Sequence, residues 1–275
     1  MSGVNKVKIN NIEIGGDKLV IIAGPCVIEE NPFIVLKTAE KIKEITSALG
    51  VPFIFKASYD KANRSSIDSY RGVGIKQGLE LLAKIKREFE VPIVTDIHTS
   101  DEAALAAEVV DMLQIPAFLC RQTDILVEAA KTGKVINIKK GQFLSPEQMR
   151  NSARKVTASG NNRVIITERG TTFGYGNLVS DMRSIPIIHS LGYPIIFDAT
   201  HSVQLPGGAG TCSSGERQYV ETLARAAVAA GADGLFFEMH PDPDNAPCDG
   251  PNMIALDNAY ALLKKCRDIF EASKG

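Results

Sequence analysis

The stretch LVIIAGPCVIEE, Leu19 to Glu30, decides between the two common α/β architectures. Its apolar run is typical of a strand buried on both faces, and Gly24 and Pro25 end that strand just before Cys26. An open doubly wound sheet normally carries a glycine-rich dinucleotide fingerprint after its first strand, and this loop does not match one. The first strand therefore favours a closed barrel. Taken alone, the position of Cys26 suits a structural thiol, half of a disulfide, a nucleophile or a metal ligand.

Seven more β-rich runs follow, and a helical pattern comes after each of the eight. Eight alternating units in 275 residues predict an α/β fold of the (β/α)8 TIM-barrel type. Ahead of the barrel, VKINNIEIGG predicts a short N-terminal β-hairpin that turns at Asn10 and Asn11 and plugs the barrel bottom. We expect one domain, 1–275, with 1–17 as the hairpin extension. The eight runs begin at Leu19, Pro52, Val91, Met112, Val135, Arg163, Pro194 and Gly234.

Local signals mark the ends of the predicted helices. Ile42, Ile45 and Leu49 share one helical face, and Gly50 follows them as a C-cap. The segment SPEQ, 145–148, has the form of a capping box with proline at the first helical position. These patterns predict amphipathic helices between the strands.

The composition excludes several classes of protein. With 44% hydrophobic residues, 23% charged residues and a formal net charge of -1, the chain has no block of like charge that would indicate a nucleic-acid partner. Its first residues lack a secretory signal, and its longest apolar run, 19–28, is too short to span a membrane. The five cysteines are scattered, without a CxxC pair, as is typical of cytosolic thiols. We therefore expect a cytoplasmic protein without a membrane partner.

Ionisable side chains stand at the carboxyl ends of seven predicted strands. This end of a barrel is where its chemistry takes place. A polar residue at any one strand end is commonly a solvated or paired surface residue, so the prediction of an active site rests on the set as a whole. The seven are Cys26, Lys56, Asp96, Lys139, Arg169, His201 and Glu238.

Some of these side chains form a candidate metal site. Barrel closure brings Cys26, His201 and Glu238 onto three consecutive strands, and Asp249, in the loop after the last strand, can fold back over them. A thiolate, an imidazole and two carboxylates suit a divalent transition metal such as Zn, Fe(II), Mn or Co. Two neighbouring side chains remain further candidates for the same site: His240 and Cys248.

A basic cluster accompanies the metal candidates. Such a concentration of cations in a nearly neutral chain predicts an anionic substrate with phosphate or carboxylate groups. Two glycine-rich segments, RGVGIKQG and LPGGAGTCSSGE, fit neither the Walker nor the dinucleotide pattern. The second, 205–216, predicts a mobile active-site loop after the seventh strand. The basic residues are Lys56, Lys61, Arg64, Arg121, Lys139, Lys140 and Arg169.

Five segments, spread in order along the chain, resemble the 3-deoxy-D-manno-octulosonate 8-phosphate synthase family. They are FKASYDKANRSS (55–66), LQIPAFLCRQTD (113–124), NIKKGQFLSPEQM (137–149), FDATHSVQ (197–204) and EMHPDPDNAPCDGPN (238–252). The resemblance implies a (β/α)8 homotetramer that condenses phosphoenolpyruvate with D-arabinose 5-phosphate and water. Its product is a precursor of the lipopolysaccharide of Gram-negative bacteria.

The resemblance also implies roles for individual residues. One group would hold phosphoenolpyruvate: Lys61, Lys139 and Arg169, with Gln114, Pro116, Ala117 and Phe118 lining the pocket. A second would hold the pentose phosphate: Asn63, Arg64 and Ser65, with Arg121 reaching in from a neighbouring subunit and Asp96 and Gln204 near the sugar. The residues expected to take part in catalysis are Lys56, Lys139, His201 and Asp249.

Members of the resembling family have either cysteine or asparagine at the position of Cys26. The kind with cysteine requires a divalent metal, and its ligands match Cys26, His201, Glu238 and Asp249. The resemblance therefore implies that Cys26 is a metal ligand and that this chain is of the metal-dependent kind.

Three alternative functions remain from the sequence. The nearest is the sister synthase that uses erythrose 4-phosphate, although that enzyme carries a Lys-Pro-Arg-Thr type motif where this chain has KANRSS. A Schiff-base aldolase would use Lys139 or Lys56 as its nucleophile. A non-catalytic sugar-phosphate binding protein would have little need of the complete set of ligands and cations.

Overall fold

Strands and helices alternate in the computed structural model, which describes residues 4–205 and 214–274. The helices are α1 (Pro32–Leu49), α2 (Ile75–Phe89), α3 (Glu102–Ala107), α4 (Thr123–Lys131), α5 (Met149–Ala158), α6 (Ser184–Ser190), α7 (Val220–Ala229) and α8 (Leu256–Lys274). The strands are β1 (Val7–Ile9), β2 (Ile12–Ile14), β3 (Val20–Gly24), β4 (Phe53–Lys56), β5 (Ile93–Asp96), β6 (Met112–Ile115), β7 (Val135–Lys139), β8 (Val164–Glu168), β9 (Thr171–Phe173), β10 (Asn177–Val179), β11 (Ile195–Asp198), β12 (Gln204–Leu205), β13 (Ser214–Gly215), β14 (Gly234–His240) and β15 (Ile254–Ala255).

Eight parallel strands close into a barrel, which confirms the predicted (β/α)8 fold. The hydrogen-bonded order is β11-β8-β7-β6-β5-β4-β3-β14, and pairing of β11 with β14 closes the ring. Each of the eight predicted β-rich runs contains one of these strands. Because all eight run in the same direction, their carboxyl ends meet at one rim, and the polar strand ends are brought together there.

The N-terminal hairpin closes the opposite end of the barrel, as predicted. Strands β1 and β2 pair antiparallel, and Asn10 takes the positive φ of 51° that the tight turn requires. The apolar side chains of the hairpin form one cluster with inward-facing residues of all eight barrel strands. The cluster consists of Val7, Ile9, Ile12, Ile14, Val20, Ile22, Ile54, Val94, Met112, Val135, Ile165, Ile196 and Phe236.

The outward-facing side chains of the barrel pack against the helices. In α1, Ile42, Ile45 and Leu49 are buried, and Gly50 adopts the left-handed C-cap conformation, as the sequence predicts. The capping box forms only in part: Gln148 Oε1 accepts from the Ser145 N–H at 3.0 Å. Residues 146–148 are turns closed by i→i+3 bonds, so α5 begins only at Met149.

Two small sheets stand on the carboxyl rim of the barrel. Strands β9 and β10 form a hairpin, and β12 pairs with β13 on either side of the glycine-rich segment. Most of the predicted mobile loop, 206–213, lies outside the described residues. Within the described ranges, no helix is both long and apolar enough to cross a membrane.

Candidate active site

A cavity of about 470 Å³ opens at the carboxyl ends of the barrel strands. Fourteen of the predicted site residues line it, so the structure brings most of them together. A larger groove of about 920 Å³ lies between α3 and α4, but none of the predicted site residues lines it. The fourteen are Lys56, Lys61, Asn63, Arg64, Ser65, Asp96, Pro116, Ala117, Phe118, Lys139, Arg169, His201, Gln204 and Asp249.

Two arginines present unused donors beside this cavity. Arg64 donates from Nε to the Tyr70 carbonyl at 3.2 Å, and Arg169 donates from Nη2 to Gln204 Oε1 at 2.9 Å. The remaining buried nitrogens, Arg64 Nη2 and Arg169 Nη1, have no hydrogen-bond partner among the described residues. A buried guanidinium nitrogen without an acceptor is costly, and an anionic ligand in the cavity would supply that acceptor.

The predicted metal ligands meet at the cavity, with His201 and Asp249 in its wall and Cys26 and Glu238 behind them. Donor atoms of His201, Glu238 and Asp249 lie within 4.8 Å of one another, and so do those of Cys26, Cys248 and Asp249. The Cys26 thiol donates to Asp249 Oδ2 at 3.0 Å, and Cys248 Sγ lies 2.7 Å from Cys26 Sγ. Asp249 belongs to both groups, so all the predicted ligands converge on one point.

Glu238 supplies a test of whether these residues fit a cation. Its side chain is fully buried, and neither carboxylate oxygen has a hydrogen-bond partner among the described residues. The imidazole Nε2 of His201 lies 3.5 Å from Glu238 Oε1, and the ammonium of Lys61 lies 3.6 Å from it. No hydrogen bond offsets the cost of burying the charge of this carboxylate. A divalent transition metal, bound by a thiolate together with imidazole and carboxylate ligands, would offset it.

The surroundings lower the pKa of one predicted ligand, Asp249, and raise the pKa of another, Cys26. Burial opposes ionisation of Asp249, but His201 and Lys61 outweigh it and lower the pKa of this carboxyl to about 2. Burial raises the pKa of the Cys26 thiol, and the adjoining Cys248 and Asp249 add to the effect. A coordinated cation favours the thiolate, so metal binding and loss of the Cys26 proton are coupled.

Asp198 connects the predicted metal site to the basic cluster, and the sequence analysis missed it. Its buried carboxylate lies 2.6 Å from Lys139 Nζ and 2.8 Å from His201 Nδ1. Burial opposes ionisation, but His201 and Lys139 hold the pKa of Asp198 far below its ordinary value. Asp198 orients the imidazole so that Nε2 faces Glu238, as carboxylates commonly do for metal-binding histidines. The predicted strand extends to His201, whereas β11 ends at Asp198, and the acidic residue directly after the apolar run 195–197 was the available signal.

Lys56 contacts Ser58, a residue that was not predicted to belong to the site. Its Nζ donates to Ser58 Oγ at 2.6 Å and lies 3.1 Å from Asp96 Oδ2. Ser58 in turn donates to the same oxygen of Asp96. Burial lowers the pKa of Lys56, while the charge of Asp96 favours its ammonium form. His98, another residue that was not predicted, also lines the cavity.

Some predicted residues lie away from the cavity wall. Cys26, Gln114 and Glu238 are buried behind it, where they contact the residues that line it. Arg121 is exposed and does not line the cavity of its own chain. Lys140 is fully buried and donates to carbonyls of the surrounding loops.

His240 does not belong to the metal cluster. Its Nε2 lies 2.7 Å from Glu29 Oε1, and its Nδ1 accepts from the Asp242 N–H at 3.0 Å. The spacing in the sequence left Glu238 and His240 as alternatives, and it is Glu238 that lies beside His201 and Asp249. Cys248, by contrast, stays within reach of the site through its contact with Cys26.

Comparison with known proteins gives matches over nearly the whole chain. The DAHP synthetase I family model matches residues 4–274. A 2-dehydro-3-deoxyphosphooctonate aldolase of Geobacter metallireducens is 58% identical over 265 residues, which cover 96% of this chain and 97% of the relative. The protein of that name from Geotalea uraniireducens is 57% identical over 267 residues, or 97% and 98% of the two chains. The one from Geobacter sulfurreducens is 54% identical over 265 residues, or 96% and 97%.

Proposed function

The chain belongs to the DAHP synthetase I family, and we propose that it condenses phosphoenolpyruvate with D-arabinose 5-phosphate and water. The products are 3-deoxy-D-manno-octulosonate 8-phosphate and inorganic phosphate. The name 2-dehydro-3-deoxyphosphooctonate aldolase, which relatives more than half identical to this chain carry, denotes that sugar acid phosphate. The chain is thus a 3-deoxy-8-phosphooctulonate synthase, a transferase of lipopolysaccharide precursor synthesis.

One observation carries the proposal: arginines with buried and unused donor nitrogens stand beside a cluster of candidate metal-ligand side chains. Arg64 Nη2 and Arg169 Nη1 lack acceptors, and both arginines line the same cavity as His201 and Asp249. Two phosphorylated substrates that react with each other must be held side by side, and cations at separate points of one cavity offset their repulsion.

The phosphoenolpyruvate end of the cavity is formed by cations from three elements. Lys61, Lys139 and Arg169 bind the phosphate and carboxylate, because ammonium and guanidinium groups match those anions. Asp198 holds Lys139 in place through the 2.6 Å contact to its Nζ. Pro116, Ala117 and Phe118 form the adjoining wall, and Gln114 lies behind it, where it donates to Asp96.

The pentose phosphate end is formed by the loop after β4. Asn63, Arg64 and Ser65 bind the sugar phosphate, while Asp96 and Gln204 lie beside the sugar. The exposed Arg121, which does not line its own cavity, completes the site of a neighbouring subunit in a homotetramer. Phe118, on the same segment, has 57% of its surface exposed, which suits burial between subunits.

The reaction proceeds by attack of phosphoenolpyruvate C3 on the aldehyde carbon of the open-chain pentose phosphate. The new C–C bond leaves the aldehyde oxygen to take up a proton and leaves positive charge at C2. Water adds at C2 and loses a proton, and the tetrahedral intermediate expels inorganic phosphate with cleavage of the C–O bond. The Lys56 ammonium, held by Asp96 and Ser58, lies near the reacting centre, where it can stabilise developing negative charge.

Cys26, His201, Glu238 and Asp249 would hold the divalent ion, with Cys248 as a neighbour. Zn, Fe(II), Mn and Co all suit this mixture of thiolate, imidazole and carboxylate ligands. When bound, the ion would supply Lewis-acid chemistry and orient a substrate oxygen. Asp198 holds His201 for this purpose, and Gln204 donates to Asp249 Oδ1 at 3.1 Å.

We place the reaction in the cytoplasm, within one domain of residues 1–275. The described residues contain four free cysteines, Cys26, Cys120, Cys248 and Cys266, and free thiols suit a reducing compartment. The substrates are small phosphorylated molecules, and no nucleic-acid or membrane partner is part of the proposal.

A phosphate-release assay with a choice of aldoses tests the function. Phosphoenolpyruvate with arabinose 5-phosphate should release phosphate much faster than phosphoenolpyruvate with erythrose 4-phosphate. The opposite preference would identify the sister synthase, and no release with either sugar would leave only a binding protein. Borohydride treatment with substrate should trap no lysine adduct, whereas an adduct at Lys56 or Lys139 would indicate a Schiff-base aldolase.

Mixing of inactive variants tests the tetramer and the role of Arg121. Arg121→Ala lacks the contribution to a neighbour, and Lys139→Ala lacks a cation of its own site. Mixed tetramers of the two should regain part of the wild-type activity, because some sites then combine an intact Lys139 with an intact Arg121. No recovery in tetramers whose mixing is verified would assign Arg121 to its own subunit or to no site.

A further inference from the structure

A continuous chain of side-chain hydrogen bonds crosses four neighbouring barrel strands below the cavity. Thr167 Oγ1 donates to Asn137 Oδ1 at 2.7 Å, and Asn137 Nδ2 donates to Gln114 Oε1 at 2.9 Å. Gln114 Nε2 then donates to Asp96 Oδ1 at 2.6 Å. The four residues lie on β8, β7, β6 and β5, which are consecutive in the barrel. Each is at least 93% buried, so water does not substitute for these bonds.

Asp96 fixes which group donates and which accepts in every bond of this hydrogen-bond chain. An ionised carboxylate only accepts hydrogen bonds, so Gln114 must turn its NH₂ group toward Asp96. Its carbonyl oxygen then faces Asn137, which must donate in turn, and the remaining Asn137 oxygen accepts from Thr167. Lys56, Lys61 and Lys139 outweigh the effect of burial and hold the pKa of Asp96 well below its ordinary value, which keeps this end anionic.

The chain reaches the reacting centre through the other oxygen of Asp96. Oδ1 accepts from Gln114, while Oδ2 lies 3.1 Å from Lys56 Nζ and accepts from Ser58. With both oxygens engaged, the carboxylate has one orientation, and the Lys56 ammonium is held against it. Neither Asn137 nor Thr167 lines the cavity, so neither contacts a ligand there.

We propose that Asn137 and Thr167 are positioning residues for Lys56, acting through Gln114 and Asp96. This inference rests on the proposed condensation, in which Lys56 lies near the reacting carbons. Hydrogen bonds that all point toward one anion reinforce each other, so the donor farthest from Asp96 still contributes to its orientation. Loss of the chain leaves the groups that bind the two substrate phosphates in place, so the rate of the chemical step falls while substrate affinity stays.

Thr167→Val tests the proposal with minimal change in shape. It removes the hydroxyl that begins the chain, and we expect kcat to fall about tenfold, as loss of one cooperative hydrogen bond implies. The KM values of phosphoenolpyruvate and arabinose 5-phosphate should stay within about twofold. Thr167→Ser keeps the hydroxyl and should restore kcat to within about twofold of the wild type.

Thr95→Val is the matched control. Thr95 is fully buried on β5, beside Asp96, but its hydroxyl donates to the main-chain carbonyl of Ala57 at 2.8 Å and takes no part in the chain. Its kcat should stay within about twofold of the wild type at a temperature where all variants are folded. Equal kcat values for Thr167→Val and Thr95→Val would overturn the proposal, as would a rise in KM with unchanged kcat.

Asn137→Asp gives a second test in which the direction of the chain is reversed. The new carboxylate has no hydrogen to donate, so Gln114 must turn its NH₂ group to it and present its oxygen to Asp96. We therefore expect a larger loss of kcat than for Thr167→Val, with a folded, assembled protein by circular dichroism and size exclusion. Wild-type kcat in Asn137→Asp would overturn the proposal. A wild type that releases no phosphate from the two substrates would instead refute the proposed function.

Discussion

The two halves of the barrel interior are built from the same strands but from opposite kinds of side chain. Toward the hairpin, the inward-facing positions form the apolar cluster that includes Ile22, Val94 and Ile165. Two residues further along, the inward positions of β5 and β8 are Asp96 and Thr167. Side chains of a strand point inward at every second residue. Two consecutive inward positions of one strand therefore lie in the apolar core and in the polar half.

The apolar half of the barrel interior therefore serves mainly stability, and the polar half serves chemistry. The apolar half contributes by removing hydrocarbon from water, and its side chains need no specific partner. The polar half buries charges such as Lys139 and Asp198, and each depends on the other for compensation. Substitutions in the two halves should therefore have different signatures, which the following predictions test.

The largest effect is expected at the proposed metal site. Cys26→Ala removes the soft ligand, so the variant should bind metal weakly and lose activity on the order of a thousandfold, with little change in folding. Chelation of the wild type with EDTA or dipicolinate should abolish activity, and Mn, Co, Cd or Fe(II) should restore it to different degrees. Metal analysis and the phosphate-release assay measure both.

Cys26→Asn sharpens this prediction. An amide can hold a water or substrate oxygen by hydrogen bonds without a cation, so this variant should keep weak activity that chelator no longer affects. Purified wild-type protein that carries no metal and ignores chelator would show that Cys26 is not a ligand.

The apolar half should respond to truncation through stability instead. Ile22→Ala leaves a cavity in the fully buried cluster beneath the site, and we expect unfolding to become easier by about 2–5 kcal/mol. Urea denaturation measures this, and the kinetic constants of the folded variant should stay within about threefold of the wild type. Leu105→Ala, at a side chain 51% exposed on α3, is the control and should change stability by less than about 0.5 kcal/mol. A folded Ile22→Ala with collapsed kcat would remove the distinction between the halves.

Within the polar half, loss of the Arg64 cation should weaken binding of one substrate, arabinose 5-phosphate, and not of the other. Arg64→Ala removes a partly buried guanidinium from the pentose phosphate end, and we expect the KM of arabinose 5-phosphate to rise about 10- to 100-fold. The KM of phosphoenolpyruvate should change less than about threefold, because Lys61, Lys139 and Arg169 remain. Initial rates with each substrate varied in turn give the comparison. Equal losses for both substrates would contradict the division of the cavity into two ends.

The smallest effect concerns pH and a carboxylate at the edge of the polar half. Glu102 Oε2 accepts from Tyr59 Oη at 2.7 Å and from the His98 N–H at 2.6 Å. Burial opposes ionisation, but these bonds, with the charge of His98, lower the pKa of Glu102 from 4.5 to about 2. A depressed carboxyl pKa stabilises the fold above the unfolded value, and this stabilisation is lost as pH falls from about 4.5 to about 2.

Glu102→Gln should therefore be less stable than the wild type at pH 7, by about 1 kcal/mol, because solvent screens the interactions of this half-buried carboxylate. Its stability should depend less on pH between about 4.5 and 2, as measured by thermal unfolding across that range. Parallel stability curves for the two proteins through this window would show that the Glu102 contacts do not depend on its charge.

Much of the site could be predicted because its residues end strands. Lys56, Asp96 and Lys139 are the last residues of β4, β5 and β7, and parallel strands bring such positions together. Asp198 ends β11 in the same way and was missed, because His201 stood nearby as the more familiar ligand. Ser58, Asn137 and Thr167 carry no charge and gave no signal, since their roles depend on which side chain lies across the neighbouring strand.

The sequence by itself determined the barrel and the hairpin, and it predicted the set of candidate ligands and cations. Hydrophobic periodicity and strand ends are local features, and they do not depend on distant contacts. Only the tertiary structure decided between Glu238 and His240, because Glu29, far away in the sequence, pairs with His240 and leaves Glu238 facing the site. It also joined Lys139 to His201 through Asp198, and Lys56 to Thr167 through three intervening side chains. Such partnerships depend on distances of a few ångströms between residues that only folding brings together.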